Sequence, residues 1–232
     1  MEKHNATKIP LILLPGLDGT GVLFAPFLAQ LPTQFETHVI HYPNACLSPR
    51  ELAELVLQQV EFTPDTVLIA ESFSGLVAIE LVKRQIVLKA LIFCASFGKS
   101  PRPQLLNTLK HLPLAQLLRL PIPYRALSGL GMNTQTQYLL SQAMQQVDSS
   151  VLAYRFRCLA NAPVINLTQT YNLPSFYWRA ANDWAVPLSN TNALKVYFPH
   201  LQIHTIADSG HFLLQTQPVT CVKQLIQALT PV

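Results

Sequence analysis

The chain has 232 residues, half of them hydrophobic and only 12% charged, whereas ordinary soluble domains carry roughly a quarter of charged residues. This composition excludes disorder for most of the chain and predicts one large domain, or one domain that carries an insertion. No apolar run approaches the roughly 18 residues of a membrane span, and the first residues lack a secretory leader pattern, so we expect a mature cytoplasmic protein without a membrane span.

The first 96 residues alternate short apolar runs with helical stretches, a pattern typical of βαβ units around a parallel sheet buried on both faces. A helix is predicted after Ser48, because Ser48 and Glu51 have the Ser-x-x-Glu form of a capping box. A second helix is predicted over Phe73–Lys83. The predicted strands are Ile9–Leu14, Thr37–His41, Thr66–Ala70 and Ala90–Ala95.

The segment Phe97–Ala160 interrupts this alternation. Prolines divide its leucine-rich pieces, so we expect short helices there rather than a sheet. Strand-like runs return at Ser175–Ala180 and Leu201–Ile206, followed by predicted helices near Asn190–Tyr197 and His211–Leu229. The sequence therefore predicts an α/β fold with a mostly parallel sheet flanked by helices, in which residues 1–96 and 161–232 form the core and residues 97–160 form a helical cap inserted into it.

The predicted cap differs from the core in charge. It holds seven basic residues and one acid, for a formal charge of +6, whereas the first 96 residues sum to −3. Two interpretations remain open: the cations keep an apolar surface soluble, or they dock an acidic partner. The cap lacks the interleaved aromatic residues of a single-strand binder, so we expect no nucleic-acid partner. The basic residues are Lys99, Arg102, Lys110, Arg119, Arg125, Arg155 and Arg157.

Cysteine spacing gives no sign of a metal site. The four cysteines are widely separated, with no CxxC and no Cys/His pair at metal-ligand spacing. We therefore expect free thiols and no bound metal. The cysteines are Cys46, Cys94, Cys158 and Cys221.

A candidate nucleophile follows the third predicted strand directly. The run Glu71-Ser72-Phe73-Ser74-Gly75 leads from this strand into a helix, the layout of a nucleophile elbow. Such a turn needs small residues two positions before and after the serine, because the strand and helix backbones pass close together. Ala70 and Ser74 satisfy this for Ser72, whereas Ser74 as nucleophile would place the large Leu76 there. The alternative is that Ser72 merely caps the helix.

A serine nucleophile needs a base that is itself oriented by a carboxylate, and in elbow-containing folds the chain order is Ser, Asp or Glu, then His. Asp183 and His211 each follow a predicted strand at its carboxyl end, the edge where sites form. We expect Asp208, three residues before His211, to shape that loop instead. After the elbow helix the only acids are Asp148, Asp183 and Asp208.

A glycine-containing loop follows the first predicted strand. The run Pro15-Gly16-Leu17-Asp18-Gly19-Thr20-Gly21 can present the backbone N–H of Leu17 to a developing oxyanion, together with the N–H of Phe73 after the nucleophile. The glycine spacing matches neither GxGxxG nor a P-loop, so phosphate binding is the weaker alternative.

With these pieces in order, the chain resembles the α/β-hydrolase superfamily from about Ile9 to Leu229. The runs Leu13–Gly21 and Glu71–Gly75 are similar to those of small bacterial carboxylesterases and plant plastid acyl-ester enzymes. The resemblance implies a catalytic triad and no cofactor. Two residues depart from the pattern, since Pro15 and Glu71 stand where many relatives have His. The implied triad is Ser72, Asp183 and His211.

These observations predict a serine hydrolase that cleaves the carboxylic ester of an acyl chain through an acyl-serine intermediate. The leucine-rich, basic cap suggests an acyl chain linked to an acidic acyl carrier protein, docked by Arg155 and Arg157. A pimeloyl-carrier-protein methyl ester, the esterase substrate of biotin synthesis, is one such ester. The alternatives are a free small-molecule ester, a thioesterase or acyltransferase activity, and a non-catalytic ligand-binding receptor on the same fold.

Overall fold

The computed structural model describes residues 8–109, 132–162 and 169–230. Its strands are β1 (Ile9–Leu14), β2 (Phe35–Val39), β3 (Val67–Glu71), β4 (Ala90–Cys94), β5 (Ser175–Ala180) and β6 (Gln202–Ile206). They form one sheet of order β2-β1-β3-β4-β5-β6, in which every neighbouring pair is parallel. The first and fifth strands have the predicted bounds, and the others differ by one or two residues. The predicted α/β fold class is confirmed.

The inner strands β1, β3, β4 and β5 are buried on both faces, which explains their apolar sequences, whereas the residues of the edge strands β2 and β6 are mostly exposed or half-buried. All five residues of β3 and all five of β4 are buried. Along β1, Leu11 and Leu13 pack into one hydrophobic cluster, while Ile12 and Leu14 pack into the cluster on the opposite face. This alternation follows from the two-residue period of a strand.

The strand order creates a crevice at the carboxyl edge of the sheet. The chain passes from β1 to β2 on one side, whereas β3 lies on the other side of β1 and leads on to β4. The connections after β1 and β3 therefore diverge, which is the topological switch point where open α/β sheets bind ligands. Residues 15–21 and 72–75 meet at this edge.

Helices cover both faces of the sheet. The capping box predicted at Ser48 is present: Ser48 Oγ accepts a hydrogen bond from the Glu51 N–H at 3.3 Å, and Glu51 accepts one from the Ser48 N–H at 2.8 Å. The described helices are α1 (Ala25–Leu28), α2 (Pro49–Gln59), α3 (Ser74–Val82), α4 (Pro103–Leu109), α5 (Thr134–Gln145), α6 (Ser149–Ala160), α7 (Leu188–Lys195), α8 (Leu213–Thr216) and α9 (Pro218–Leu229).

The described part of the segment between β4 and β5 contains three helices, α4, α5 and α6, joined by irregular stretches, and no strand. Helices α5 and α6 pack against the short 3-10 turn Val22–Phe24 of the core, through a buried cluster that includes Leu23, Met144 and Leu152. The Asp148 N–H also donates a hydrogen bond to Asn44 Oδ1 at 2.9 Å. The basic residues Lys110, Arg119 and Arg125 lie outside the described residues.

The final helix differs from the prediction. A single helix was expected over His211–Leu229, but the chain forms α8 and then α9, with Pro218 at the start of the second. A proline disfavours helical backbone in the residue before it, here Gln217, which explains the break. His211 consequently lies in the loop before α8. No helix within the described ranges is both long and apolar enough to cross a membrane.

Candidate active site

Ser72 occupies a sharp turn between β3 and α3. Its φ of 48° lies in the left-handed region, which non-glycine residues rarely adopt. Hydrogen bonds hold the turn: the Ser72 N–H donates to the Cys94 carbonyl at 3.0 Å, and Ser96 Oγ donates to the Ser72 carbonyl at 2.6 Å. This is the elbow geometry that exposes a serine hydroxyl at the end of a strand.

The two residues after Phe73 have different reasons for their small size. A methyl group on Gly75 would lie 2.6 Å from the Phe97 carbonyl oxygen, so the close backbone approach occurs there. Ser74, expected only to be small, instead uses its hydroxyl: it donates a short hydrogen bond to the Pro15 carbonyl and contacts the Tyr42 hydroxyl at 2.6 Å. Sequence reasoning missed this polar role.

Ser72, His211 and Asp183 form a continuous hydrogen-bonded chain. Ser72 Oγ lies 2.9 Å from His211 Nε2, and His211 Nδ1 lies 3.0 Å from Asp183 Oδ2. The carboxylate of Asp183 is itself held, because its Oδ1 accepts the N–H groups of Ala185 at 2.8 Å and Val186 at 2.9 Å. A carboxylate on Nδ1 favours the tautomer in which Nε2 is free to accept the serine proton.

The surroundings of His211 raise its pKa. Burial alone would lower the pKa, but the charge of Asp183, the hydrogen bond that His211 donates to Asp183 and the charge of Glu71 together outweigh it. Asp208, by contrast, lies outside this chain of contacts. It has a φ of 49° in the turn before His211, and its carbonyl accepts a hydrogen bond from the Gln217 amide at 3.0 Å, as expected of a loop-shaping residue.

Glu71, which precedes the nucleophile, is a buried carboxyl group. Burial raises its pKa to about 7, the charge of Asp18 adds to the rise, and a hydrogen bond from Gln215 and the charge of His211 oppose it. The Gln215 amide donates to Glu71 Oε1 at 2.8 Å. Because Gln215 lies in α8, this bond ties the residue before Ser72 to the helix that follows His211.

Residues 15–21, which we term the oxyanion loop after their predicted role, lie against Ser72. A methyl group on Gly16 would be 3.9 Å from Ser72 Cβ, and the Gly19 N–H closes a turn onto the Gly16 carbonyl at 3.1 Å. Within the described part of the chain, the N–H groups of Leu17 and Phe73 have no hydrogen-bond acceptor. Two unpaired donors beside a serine hydroxyl are what an oxyanion hole requires.

Arg155 contradicts its expected role. It was predicted to dock an acidic partner, but it is only 1% exposed and donates hydrogen bonds to backbone carbonyls of the core. A residue inside the protein does not meet a docking surface, so that prediction is wrong. Charge counting missed the burial because it does not show which helix face a residue occupies. Arg157 is exposed, with its guanidinium 5.8 Å from the centre of the Tyr154 ring, and docking by Arg157 stays a prediction.

No cluster of three or more His, Cys, Asp or Glu side chains in the described ranges is placed to hold a metal ion. The four cysteines are unpaired in the structure. The expectation that the chemistry uses no cofactor stays a prediction.

Comparison with known structures defines the fold class. Over 97% of its length the chain superposes on 92% of an esterase from Exiguobacterium antarcticum, with a TM-score of 0.81 and 11% identity. It also superposes over its whole length on 93% of MGS-M2, an α/β-hydrolase enzyme from a Medee basin deep-sea metagenome library, with a TM-score of 0.76 and 10% identity. The chain therefore has the α/β-hydrolase fold, as the resemblance implied.

Sequence comparison finds a relative that matches only part of this chain. The chain is 30% identical over 125 residues to phytyl ester synthase 1, a chloroplast protein of Arabidopsis thaliana. The match covers 49% of this chain but only 18% of that protein, so this chain spans less than a fifth of its relative's length. No protein-family model matches the chain.

Proposed function

We propose that the protein is a carboxylic ester hydrolase that works through an acyl-serine intermediate on Ser72. One observation carries the proposal: the hydroxyl of Ser72, the imidazole of His211 and the carboxylate of Asp183 are joined by contacts of 2.9 and 3.0 Å. A non-catalytic receptor on this fold would need no such chain. The esterase among the structural neighbours is consistent with the proposal.

In the acylation step, His211 Nε2 takes the proton of Ser72 as Oγ attacks the ester carbonyl carbon. Asp183 stabilises the imidazolium, and the N–H groups of Leu17 and Phe73 donate to the oxyanion. Collapse of the tetrahedral intermediate breaks the bond to the alcohol oxygen, which receives its proton from His211. A water molecule then gives a proton to His211 and attacks the acyl-serine, which releases the acid and restores the hydroxyl of Ser72.

The substrate class follows from the apolar insertion. We propose that residues 97–160 act as a cap and that its helices shelter the acyl chain of a small-molecule ester, because α5 and α6 pack an apolar cluster against the turn that follows the oxyanion loop. A narrower proposal for the substrate is a carrier-protein ester such as the pimeloyl methyl ester. Arg155 no longer supports this proposal, because its side chain is buried. Its remaining test is Arg157→Glu, which should slow a carrier-bound ester and leave a free ester unaffected.

Acyl transfer is the second candidate, favoured by the partial match to a phytyl ester synthase. The same acyl-serine would form, and an alcohol would replace water in its breakdown. Adding a long-chain alcohol to the assay separates the two. A new ester formed at the expense of free acid supports acyl transfer, and acid release unaffected by the alcohol supports hydrolysis.

Ser72→Ala tests the nucleophile. Because the acyl-enzyme cannot form, kcat for a short p-nitrophenyl ester should fall by about 10⁴-fold or more. Ser141→Ala, at an exposed position of α5, is the matched control and should keep full activity. If Ser72→Ala folds normally and hydrolyses the ester at the wild-type rate, the proposed function is rejected.

A further inference from the structure

The side chain of Arg155, on helix α6, is buried in the protein interior. Arg155 has no carboxylate within salt-bridge distance in the part of the chain that is described. Instead its Nη1 donates to the carbonyls of Leu17 at 3.1 Å and Asp18 at 2.7 Å, and its Nη2 donates to the carbonyl of Pro43 at 2.9 Å. A buried cation is costly unless it is hydrogen-bonded, and here backbone carbonyls supply those bonds to both terminal nitrogens, Nη1 and Nη2.

These contacts fix the two peptide groups that directly follow a proposed oxyanion donor, the N–H of Leu17. Arg155 binds the carbonyls of Leu17 and the next residue, while the Gly16 carbonyl, on the other side of Leu17, is bound by the Gly19 N–H. The orientation of the Leu17 N–H is therefore set from both sides. Gly19 has a φ of 73°, and a methyl group there would lie 3.0 Å from Cζ of Arg155, so the guanidinium packs directly on the loop.

A second set of contacts, which we term the second arm, leads from Arg155 through Tyr42 to Ser74. The guanidinium of Arg155 lies 5.7 Å from the centre of the Tyr42 ring, and the Tyr42 N–H donates to the Gly19 carbonyl at 2.8 Å. The Tyr42 hydroxyl contacts Ser74 Oγ at 2.6 Å, and Ser74 donates to the Pro15 carbonyl. Since Ser74 has one proton and a carbonyl only accepts, the Tyr42 hydroxyl donates to Ser74.

Ser74 thereby links the two sides of the oxyanion hole. Pro15 lies two residues before Leu17, and Ser74 directly follows Phe73. The network from Arg155 through Tyr42 to Ser74 joins helix α6 to both proposed donors without contacting the reacting atoms.

We propose that Arg155 is a positioning residue of the oxyanion hole, which couples the packing of helix α6 to the orientation of the Leu17 N–H, with Tyr42 and Ser74 as its second arm. This inference rests on the proposed ester hydrolysis. The oxyanion exists only in the transition state and the tetrahedral intermediate, so a loosened hole lowers kcat and leaves ground-state binding nearly unchanged.

Arg155→Met tests the proposal, with Arg50→Met, at an exposed position of α2, as the matched control. For a short p-nitrophenyl ester, we expect Arg155→Met to lower kcat by about 10- to 100-fold, less than the loss of an oxyanion donor itself, with KM within about twofold. The inhibition constant of a trifluoromethyl ketone, which forms a tetrahedral adduct, should rise in parallel. Arg50→Met should match the wild type in all three quantities.

Arg155→Lys keeps the charge but not the planar fork that reaches three carbonyls. It should recover part of the lost kcat, and it replaces Arg155→Met if that variant does not fold. Tyr42→Phe removes only the hydroxyl that donates to Ser74 and should lower kcat by a smaller factor. If Tyr42→Phe keeps the wild-type kcat and inhibitor affinity, the proposed positioning role of Tyr42 and Ser74 is rejected.

A purely structural role gives a different result. If Arg155→Met or, in its place, Arg155→Lys lowers the melting temperature but keeps the wild-type kcat and ketone affinity, the proposal is overturned. Failure of the proposed function is recognised separately, because a wild-type enzyme without esterase activity would fail before any variant is compared.

Discussion

Asp183 makes two kinds of contact at the residue scale. One carboxylate oxygen holds His211, and the other accepts two backbone N–H groups of its own loop. Asp183→Asn keeps the size of the side chain but removes its charge and presents an amide that favours the wrong imidazole tautomer. We expect kcat to fall by about 10³- to 10⁴-fold, with little change in KM. Ester hydrolysis and circular dichroism of the variant check this, and a loss below tenfold would contradict the role of Asp183.

Glu71 makes stability depend on pH. Its pKa rises from 4.5 to about 7 on folding, so between these values the folded state binds more protons than the unfolded state. The stability contributed by the protonated carboxyl is therefore present below pH 4.5 and is lost as the pH rises to 7. Glu71→Gln removes this pH-dependent contribution to the free energy of unfolding. Relative to the wild type, the variant should gain about 3 kcal/mol of unfolding free energy between pH 4 and pH 8.

Urea unfolding of both proteins at the two pH values measures this difference. The neighbouring side chains of Asp18 and His211 are present in both proteins, so their contributions largely cancel in the comparison. Equal pH dependence in the wild type and Glu71→Gln would show that Glu71 titrates normally.

Sequence reasoning selected the three residues that the fold brings together, because chain order and strand ends constrain Ser72, Asp183 and His211. It misjudged Arg155 and overlooked the hydroxyl of Ser74. Both depend on which side chains of distant segments meet, and neither local periodicity nor charge counting contains that information. A signal was present in the sequence, because Ser74 stands where the nucleophile-elbow motif Gly-x-Ser-x-Gly has its second glycine.

At the element scale, the start of α3 depends on a glycine. In an exposed helix, Gly75→Ala would stabilise by about 1 kcal/mol. Here the new methyl group meets Ser96 and the Phe97 carbonyl, so we expect net destabilisation of about 1–3 kcal/mol and a displaced Ser72. Urea unfolding and esterase activity of Gly75→Ala check both effects. A stabilised, fully active variant would contradict the packing described for the elbow.

Strands were easier to predict than the final helix. The inner strands β1, β3, β4 and β5 are apolar runs because they are buried on both faces, so composition alone marks their bounds within one residue. Over His211–Leu229 the apolar pattern continues through Pro218, and the prediction did not treat this proline as a break. The result places His211 on a loop, tied through Gln215 of α8 to Glu71.

At the scale of the whole molecule, the parallel sheet brings the elements of the site to one edge. The oxyanion loop follows β1, the elbow follows β3, Asp183 follows β5 and His211 follows β6. The helices inserted between β4 and β5 then reach back to the oxyanion loop through Arg155. In the proposed function, this arrangement places the nucleophile at the end of a sheet strand and makes α6 of the insertion a support of the proposed oxyanion hole.

Labelling with a fluorophosphonate tests the central claim, that Ser72 is the activated nucleophile. Trypsin cleavage after Arg50 and Lys83 leaves Ser72 and Ser74 on one peptide, so fragmentation mass spectrometry must locate the adduct. The account predicts one adduct on Ser72, absent from Ser72→Ala and retained in Ser141→Ala. An adduct on Ser74, or undiminished labelling of Ser72→Ala, would contradict it.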